Sequence, residues 1–148
     1  MNDFDVLKLE NQLCFPLYVC SKEIIKKYKP FLDEIDLTYT QYITMMVIWD
    51  KKEINVKELG NHLFLDSGTL TPLLKKLETK GYIKRCRSDN DERNLIISIT
   101  DLGMKVKHKA KDIPLKIGKC ININEKDVKE LYRILYKVLN NFENITTL

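Results

Sequence analysis

At 148 residues the chain has material for one domain with flanking helices, and its 44% hydrophobic content supplies a core, which excludes wholesale disorder. No apolar run approaches the roughly 18–20 residues needed to cross a bilayer, so no membrane partner is expected. The acidic, polar opening MNDFDVLKLENQ is unlike a secretory signal, and the chain is expected in the cytoplasm.

The net charge of +4 names no partner by itself. Its distribution says more, because seven Lys/Arg stand against four Asp/Glu between Ser67 and Arg93. Such a cluster is either a solvated face or part of a nucleic-acid contact, and structural context has to decide. Cys14, Cys20, Cys86 and Cys120 form no CxxC pair, and only His62 and His108 could add nitrogen ligands. No metal site is therefore expected, and no cofactor motif is present. A stable disulfide framework is not expected in a cytoplasmic protein, so each thiol is either a structural residue or a reactive one.

Leu13, Leu17, Cys20 and Ile24 recur at helical spacing and predict a helix over about 7–28. Pro16 either kinks it or marks its first turn. A short connection follows Lys29-Pro30, and Thr38 caps a second helix reaching about Asp50. A short extended stretch, 54–56, leads to a compact helix over 56–63. After a turn at 65–68, a helix over 69–80 is ended by Gly81. Residues 82–87 and 95–100 read as strands about a turn at 88–94. A helix starts at Asp101 and runs to about Asp112. Asn124 caps a last one, in which Val128, Leu131, Leu135, Val138 and Phe142 form a heptad-like stripe. The stripe packs either within the subunit or against a second copy.

The expected architecture is mainly α with a small β-hairpin wing: a single domain over 1–148, with a winged helix-turn-helix at about 38–100. Dimerisation helices are expected at about 7–30 and 101–144. In such an order the helix starting near Ser67 can enter the major groove of double-stranded DNA, its first residues facing base edges. Ser67, Thr69 and Thr71 offer small hydroxyls for phosphates and bases, and Lys75 and Lys76 extend a positive edge. The wing supplies Arg85, Arg87 and Arg93. An arginine at its tip suits a narrow minor groove, and Asp91 stands two residues away to hold the Arg93 guanidinium.

The run Leu9-Glu10-Asn11-Gln12-Leu13-Cys14-Phe15, with Tyr28-Lys29-Pro30, Leu37-Thr38-Tyr39, the stretch LDSGTLTPLLKKLE from Leu65 to Glu78, and Asp91-Glu92-Arg93, resembles the MarR family in its organic hydroperoxide regulator branch. The resemblance spans about 7–100 and continues more weakly into the tail. It implies a homodimeric repressor on a pseudo-palindromic operator, with organic hydroperoxide as inducer and no enzyme activity. It further implies that Cys14 is the peroxidatic thiol. Tyr28 and Tyr39 of the neighbouring subunit would bond its sulfur, and Tyr18 would lie one turn beyond it. It places Ser67, Thr69 and Thr71 at the major groove and Arg93 in the minor groove. Some members add a resolving cysteine after the wing, and Cys120 lies in that general region.

The residues leave alternatives open. On periodicity alone Cys14 reads first as a buried, inert thiol, and the family context is what favours a reactive one. A regulator of the same fold released by a small aromatic ligand would keep the DNA contacts and leave Cys14 incidental. A thiol peroxidase is disfavoured by the missing βαβ order, and no basic residue obviously activates Cys14.

Overall fold

A computed structural model describes residues 4–88 and 91–145, with the side chains of 88, 91–94 and 143–145 outside that description. The chain divides into two compact units, Met1–Pro114 and Leu115–Leu148.

The first unit opens with two 3-10 turns, Asp5–Leu7 and Leu9–Asn11, so the expected helix over 7–28 starts later than its apolar spacing suggested. Helix α1 spans Cys14–Asp33. Pro16 is its third residue, where the missing N–H would have had no helical acceptor, which settles the choice between kink and first turn. The connection expected after Pro30 is not there. Pro30 lies inside α1, which continues one further turn to bury Leu32.

Helix α2, Tyr39–Lys51, begins as expected at Thr38. The Thr38 hydroxyl accepts from the Gln41 amide, while the Gln41 side chain accepts from the Thr38 N–H at 3.0 Å, a reciprocal cap. Strand β1, Glu53–Asn55, leads into α3, Val56–Leu63, capped by Asn55. Helix α4, Ser67–Thr79, starts two residues before the expected Thr69, because Asp66 accepts from the Thr69 amide and sets the helix origin there. Pro72 therefore falls in the interior of α4 and leaves the Gly68 carbonyl without its helical donor.

Strands β2, Ile83–Ser88, and β3, Asp91–Ile99, make the wing. Its strands reach further into the expected turn at 88–94 than the sequence suggested. It is also not a bare hairpin: β1 pairs antiparallel with β3, Ile54 opposite Ile97, giving the order β1-β3-β2. Helix α5, Asp101–Ala110, is capped by Thr100.

The core lies where α2, α3 and α4 meet the sheet. Met45, Ile48, Leu59, Leu70, Leu74, Leu77, Ile83 and Ile97 are all but fully buried. Burial of such side chains stabilises by about 1.5–3 kcal/mol each before entropy is counted. Helix α5 is bound in by Trp49, whose indole N–H donates to the buried Gly103 carbonyl at 2.9 Å. Gly103 has no room for a side chain, since a Cβ there would stand 2.2 Å from the Tyr82 carbonyl oxygen.

Helix α6, Ile113–Ile121, lies between the two expected tail helices, and the division between the units falls near its start. In the second unit, α7 spans Glu125–Ile145. The Asn124 side chain accepts from the Asp127 N–H at 2.9 Å, the expected cap. Its stripe is largely exposed in the single chain, with Val128, Leu131, Val138 and Phe142 all open. Among the described residues, no helix is long and apolar enough to cross a membrane.

Candidate thiol sensor and nucleic-acid interface

Cys14 is the first residue of α1 and is exposed. The first amides of a helix have no intrahelical acceptor, so this is the end of the helix that favours negative charge. Tyr18 follows one turn later, on the same face, 62% exposed, with the Lys22 ammonium 5.6 Å from its ring centroid. Phe15, Leu17 and Ile25 are also open to solvent, so the thiol lies on an apolar, unpartnered stretch of helix.

Tyr28 and Tyr39 come together. Their ring centroids are 5.0 Å apart across the contact between α1 and α2. The sequence reading missed a third member, Tyr42, which is 2% exposed. Its ring lies 5.8 Å from Tyr28 and 6.2 Å from Trp49, edge-on to the latter. The signal available in the sequence was the 3-4 spacing of Tyr42, Met45 and Trp49 on one face of α2. Burial raises the Tyr39 hydroxyl above its ordinary pKa. For Tyr42, burial and the neighbouring Tyr28 and Tyr39 push the value up to about 12. Both hydroxyls are protonated at neutral pH, as ordinary tyrosines are, and these shifts act in the same direction.

The structure does not bring Cys14 to these tyrosines within one chain. Cys14 and Tyr28 are fourteen residues apart on a continuous helix, which at a rise of about 1.5 Å per residue is about 21 Å. A tyrosine side chain cannot close that gap. Any contact between the thiol and Tyr28 or Tyr39 has to be made between two copies. Cys20, Cys86 and Cys120 are exposed too, on α1, β2 and α6 respectively.

The other candidate site lies on α4. Leu70, Leu73, Leu74 and Leu77 are buried, which turns Ser67, Thr69, Thr71, Lys75 and Lys76 outward together. Some of their bonding capacity is already used. The Thr71 hydroxyl donates to the Ser67 carbonyl at 2.8 Å, leaving its lone pairs to accept. Asp66 takes the Thr69 N–H and hydroxyl, and these bonds hold its carboxyl below the usual carboxylate range. Beside the start of α4 a cleft of about 430 Å³ is lined by Lys57, Asn61, Leu65, Ser67 and Leu95.

Of the wing arginines, Arg85 is occupied. Its Nε and Nη2 reach one Glu78 carboxylate oxygen at 2.7 and 2.6 Å, and its backbone N–H donates to the other at 3.3 Å. The pair ties β2 to α4 and holds the Glu78 carboxyl below its ordinary pKa. Arg87 is exposed. Asp91 and Arg93 fall in β3, and their side chains lie outside the described residues.

A second groove, about 260 Å³, runs between α2 and α5 and is lined by Tyr42, Met46, Trp49, Lys107 and Lys111. Among the described residues, no group of three or more His, Cys, Asp or Glu is placed to hold a metal ion.

Two short helices joined by a tight turn, backed by α2 and followed by the β2–β3 wing of a three-stranded sheet, define a winged-helix transcriptional regulator of the MarR type. Residues 26–110 match the model of the family described as transcriptional regulator SarA/Rot. The chain is 48% identical over 138 residues to the organic hydroperoxide resistance transcriptional regulator of Bacillus subtilis, covering 93% of this chain and 94% of the relative. It is 50% identical over 137 residues to the HTH-type transcriptional regulator SarZ of Staphylococcus aureus, covering 92% and 93%. The structure of reduced AbfR bound to DNA superposes with a TM-score of 0.74 at 32% identity, covering 92% of this chain and 95% of that one. The disulfide form of AbfR superposes with a TM-score of 0.61 at 30% identity, covering 96% and 94%. The chain belongs to the SarA/Rot family of transcriptional regulators, in the branch of the Bacillus organic hydroperoxide regulator and SarZ.

Proposed function

We propose that the chain is a homodimeric, cytoplasmic repressor that binds double-stranded operator DNA and lets go when an organic hydroperoxide oxidises Cys14. The observation that carries this reading is the placement of Cys14, an exposed thiol at the start of α1, in a chain 48% identical along nearly its whole length to a regulator of organic hydroperoxide resistance. The Cys14 thiolate attacks the peroxide oxygen; the O–O bond breaks, sulfur becomes a sulfenic acid and the alkoxide leaves to be protonated. Tyr28 and Tyr39 of the other subunit donate to the thiolate, and Tyr18 borders it. A sulfenic acid condenses with a thiol to a disulfide and water, and Cys120 is the candidate for that step.

On the DNA side, Ser67, Thr69 and Thr71 meet base edges in the major groove, Lys75, Lys76 and Arg87 meet phosphates, and Arg93, steadied by Asp91, enters the minor groove. Arg85 serves by holding the wing to α4. A dimer reads half-sites about 34 Å apart, so a shift of a few ångströms between its α4 helices weakens binding.

The test is operator binding by reduced protein, before and after stoichiometric cumene hydroperoxide, with Cys14→Ser alongside. Release by wild type but not by the variant supports the switch, and equal retention by both refutes it. The groove of Tyr42, Trp49, Lys107 and Lys111 favours one other reading, release by a small aromatic anion. That reading requires Cys14→Ser to remain fully inducible.

A further inference from the structure

The turn that ends α1 and the junction that ends α4 lie 44 residues apart in sequence, yet side chains join them. Lys80, the residue after α4, sets its Nζ 2.9 Å from the Asp36 carboxylate and also donates to the Asp36 backbone carbonyl. Two residues on, the Tyr82 hydroxyl donates to the Ile35 carbonyl at 3.3 Å. Between them Gly81, at φ +76°, reverses the chain so that both side chains meet one turn. Asp36 itself is left-handed, at φ 52°, a conformation a non-glycine residue keeps when its surroundings hold it. Ile35 and Leu37, on either side, are 6% and 4% exposed.

An exposed ion pair alone would hold this turn weakly. Two of the three acceptors, however, are backbone carbonyls, which move only when the chain moves. We propose that Lys80 and Tyr82 are positioning residues: they strap the turn between α1 and α2 to the C-terminal end of α4, so that displacement of α1 is delivered to the DNA-facing helix. The thiol-switch reading supplies what displaces α1. The strap itself does not depend on it.

Two variants test this in the full-length protein, Lys80→Met, which keeps the aliphatic stem, and Tyr82→Phe, which keeps the ring. The first readout needs neither DNA nor oxidant. The Leu37 amide is bonded to the Leu32 carbonyl and the Tyr82 amide to the Leu77 carbonyl, both at 3.1 Å, so hydrogen exchange reports each end of the strap. In wild type the two should exchange in step as denaturant is raised. In the double variant Leu37 should run ahead of Tyr82 by about tenfold. Independent exchange in wild type, or no change in the double variant, overturns the strap.

The second readout is binding to a duplex selected by the reduced protein from a random-sequence pool. The variants should keep reduced-state affinity within about threefold, while the loss of affinity on adding cumene hydroperoxide shrinks by about tenfold. If exchange couples as expected but variants and wild type release equally, the strap does not transmit and the proposal falls. If exchange couples but oxidised wild type still binds, the thiol switch falls and the strap stands.

Discussion

A mixed dimer offers the sharpest test of where the sensor sits. The continuous helix from Cys14 to Tyr28 separates thiol and tyrosines by about 21 Å within one chain. If Tyr28 and Tyr39 donate to the thiol, as proposed, they must come from the other copy. Consider one subunit carrying Cys14→Ser paired with one carrying Tyr28→Phe and Tyr39→Phe. Contact between copies leaves one complete site, formed by the Cys14 of the second subunit and the tyrosines of the first. Contact within a chain would leave none. A hydrogen bond to a charged group contributes about 1.5–3 kcal/mol, so losing both hydroxyls should slow Cys14 oxidation by at least the roughly tenfold to hundredfold of one such bond. Differently tagged subunits, co-expressed and purified as the mixed species, can be followed by trapping the sulfenic acid with dimedone and weighing the product. The Cys14 of the mixed dimer should react at the wild-type rate, while the doubly substituted homodimer lags by the factor above. Equal slowness of the two would refute the two-copy site.

Further outcomes are expected. Gly103→Ala should destabilise the fold by about 1–3 kcal/mol in urea melts, reversing the usual gain of alanine in a helix, because its Cβ would meet the Tyr82 carbonyl. Arg87→Ala should lower the slope of log affinity against log salt by about 1, whereas Arg85→Ala should show first as lost folding stability, since Arg85 is bound to Glu78. Glu78 is held below 4.5 in the folded state, so its contribution is present above that pH and is lost as acid brings the pH down through the folded value. Glu78→Gln should flatten that acid limb of a stability profile. Tyr42 titrates near 12 when folded against 10 when free. Its contribution thus fades between pH 10 and 12, and Tyr42→Phe should blunt the alkaline loss in that window.

The fold was legible where chemistry is local. Thr38, Asn124 and Gly81 mark element ends through bonds or dihedrals that span three or four residues, and the leucines of α4 announce a buried face by spacing alone. Helix α6 was missed because Pro114 and Gly118 depress helix propensity within a nine-residue segment. The signals present were Pro114 in the first turn and Ile113 and Ile117 at helical spacing. Strand β1 was legible as a short extended stretch at 54–56, but its pairing was not, because only the folded β3 offers it an edge. The roles of Arg85 and Tyr42 depend on partners across elements. Nothing near Arg85 in sequence says that Glu78 will reach it from a helix, and only the folded α1–α2 contact gathers Tyr28, Tyr39 and Tyr42 into one cluster.

The unbroken run of α1 from Cys14 to Tyr28 has a consequence for dosage under the thiol-switch proposal. A sensor whose thiol and hydroxyl donors lie about 21 Å apart along one helix would be assembled only when two chains meet. A newly made chain, or one diluted below its pairing concentration, would then react with peroxide as slowly as the doubly substituted homodimer. Sensitivity would then rise with copy number as well as with peroxide, since only paired chains hold a complete site.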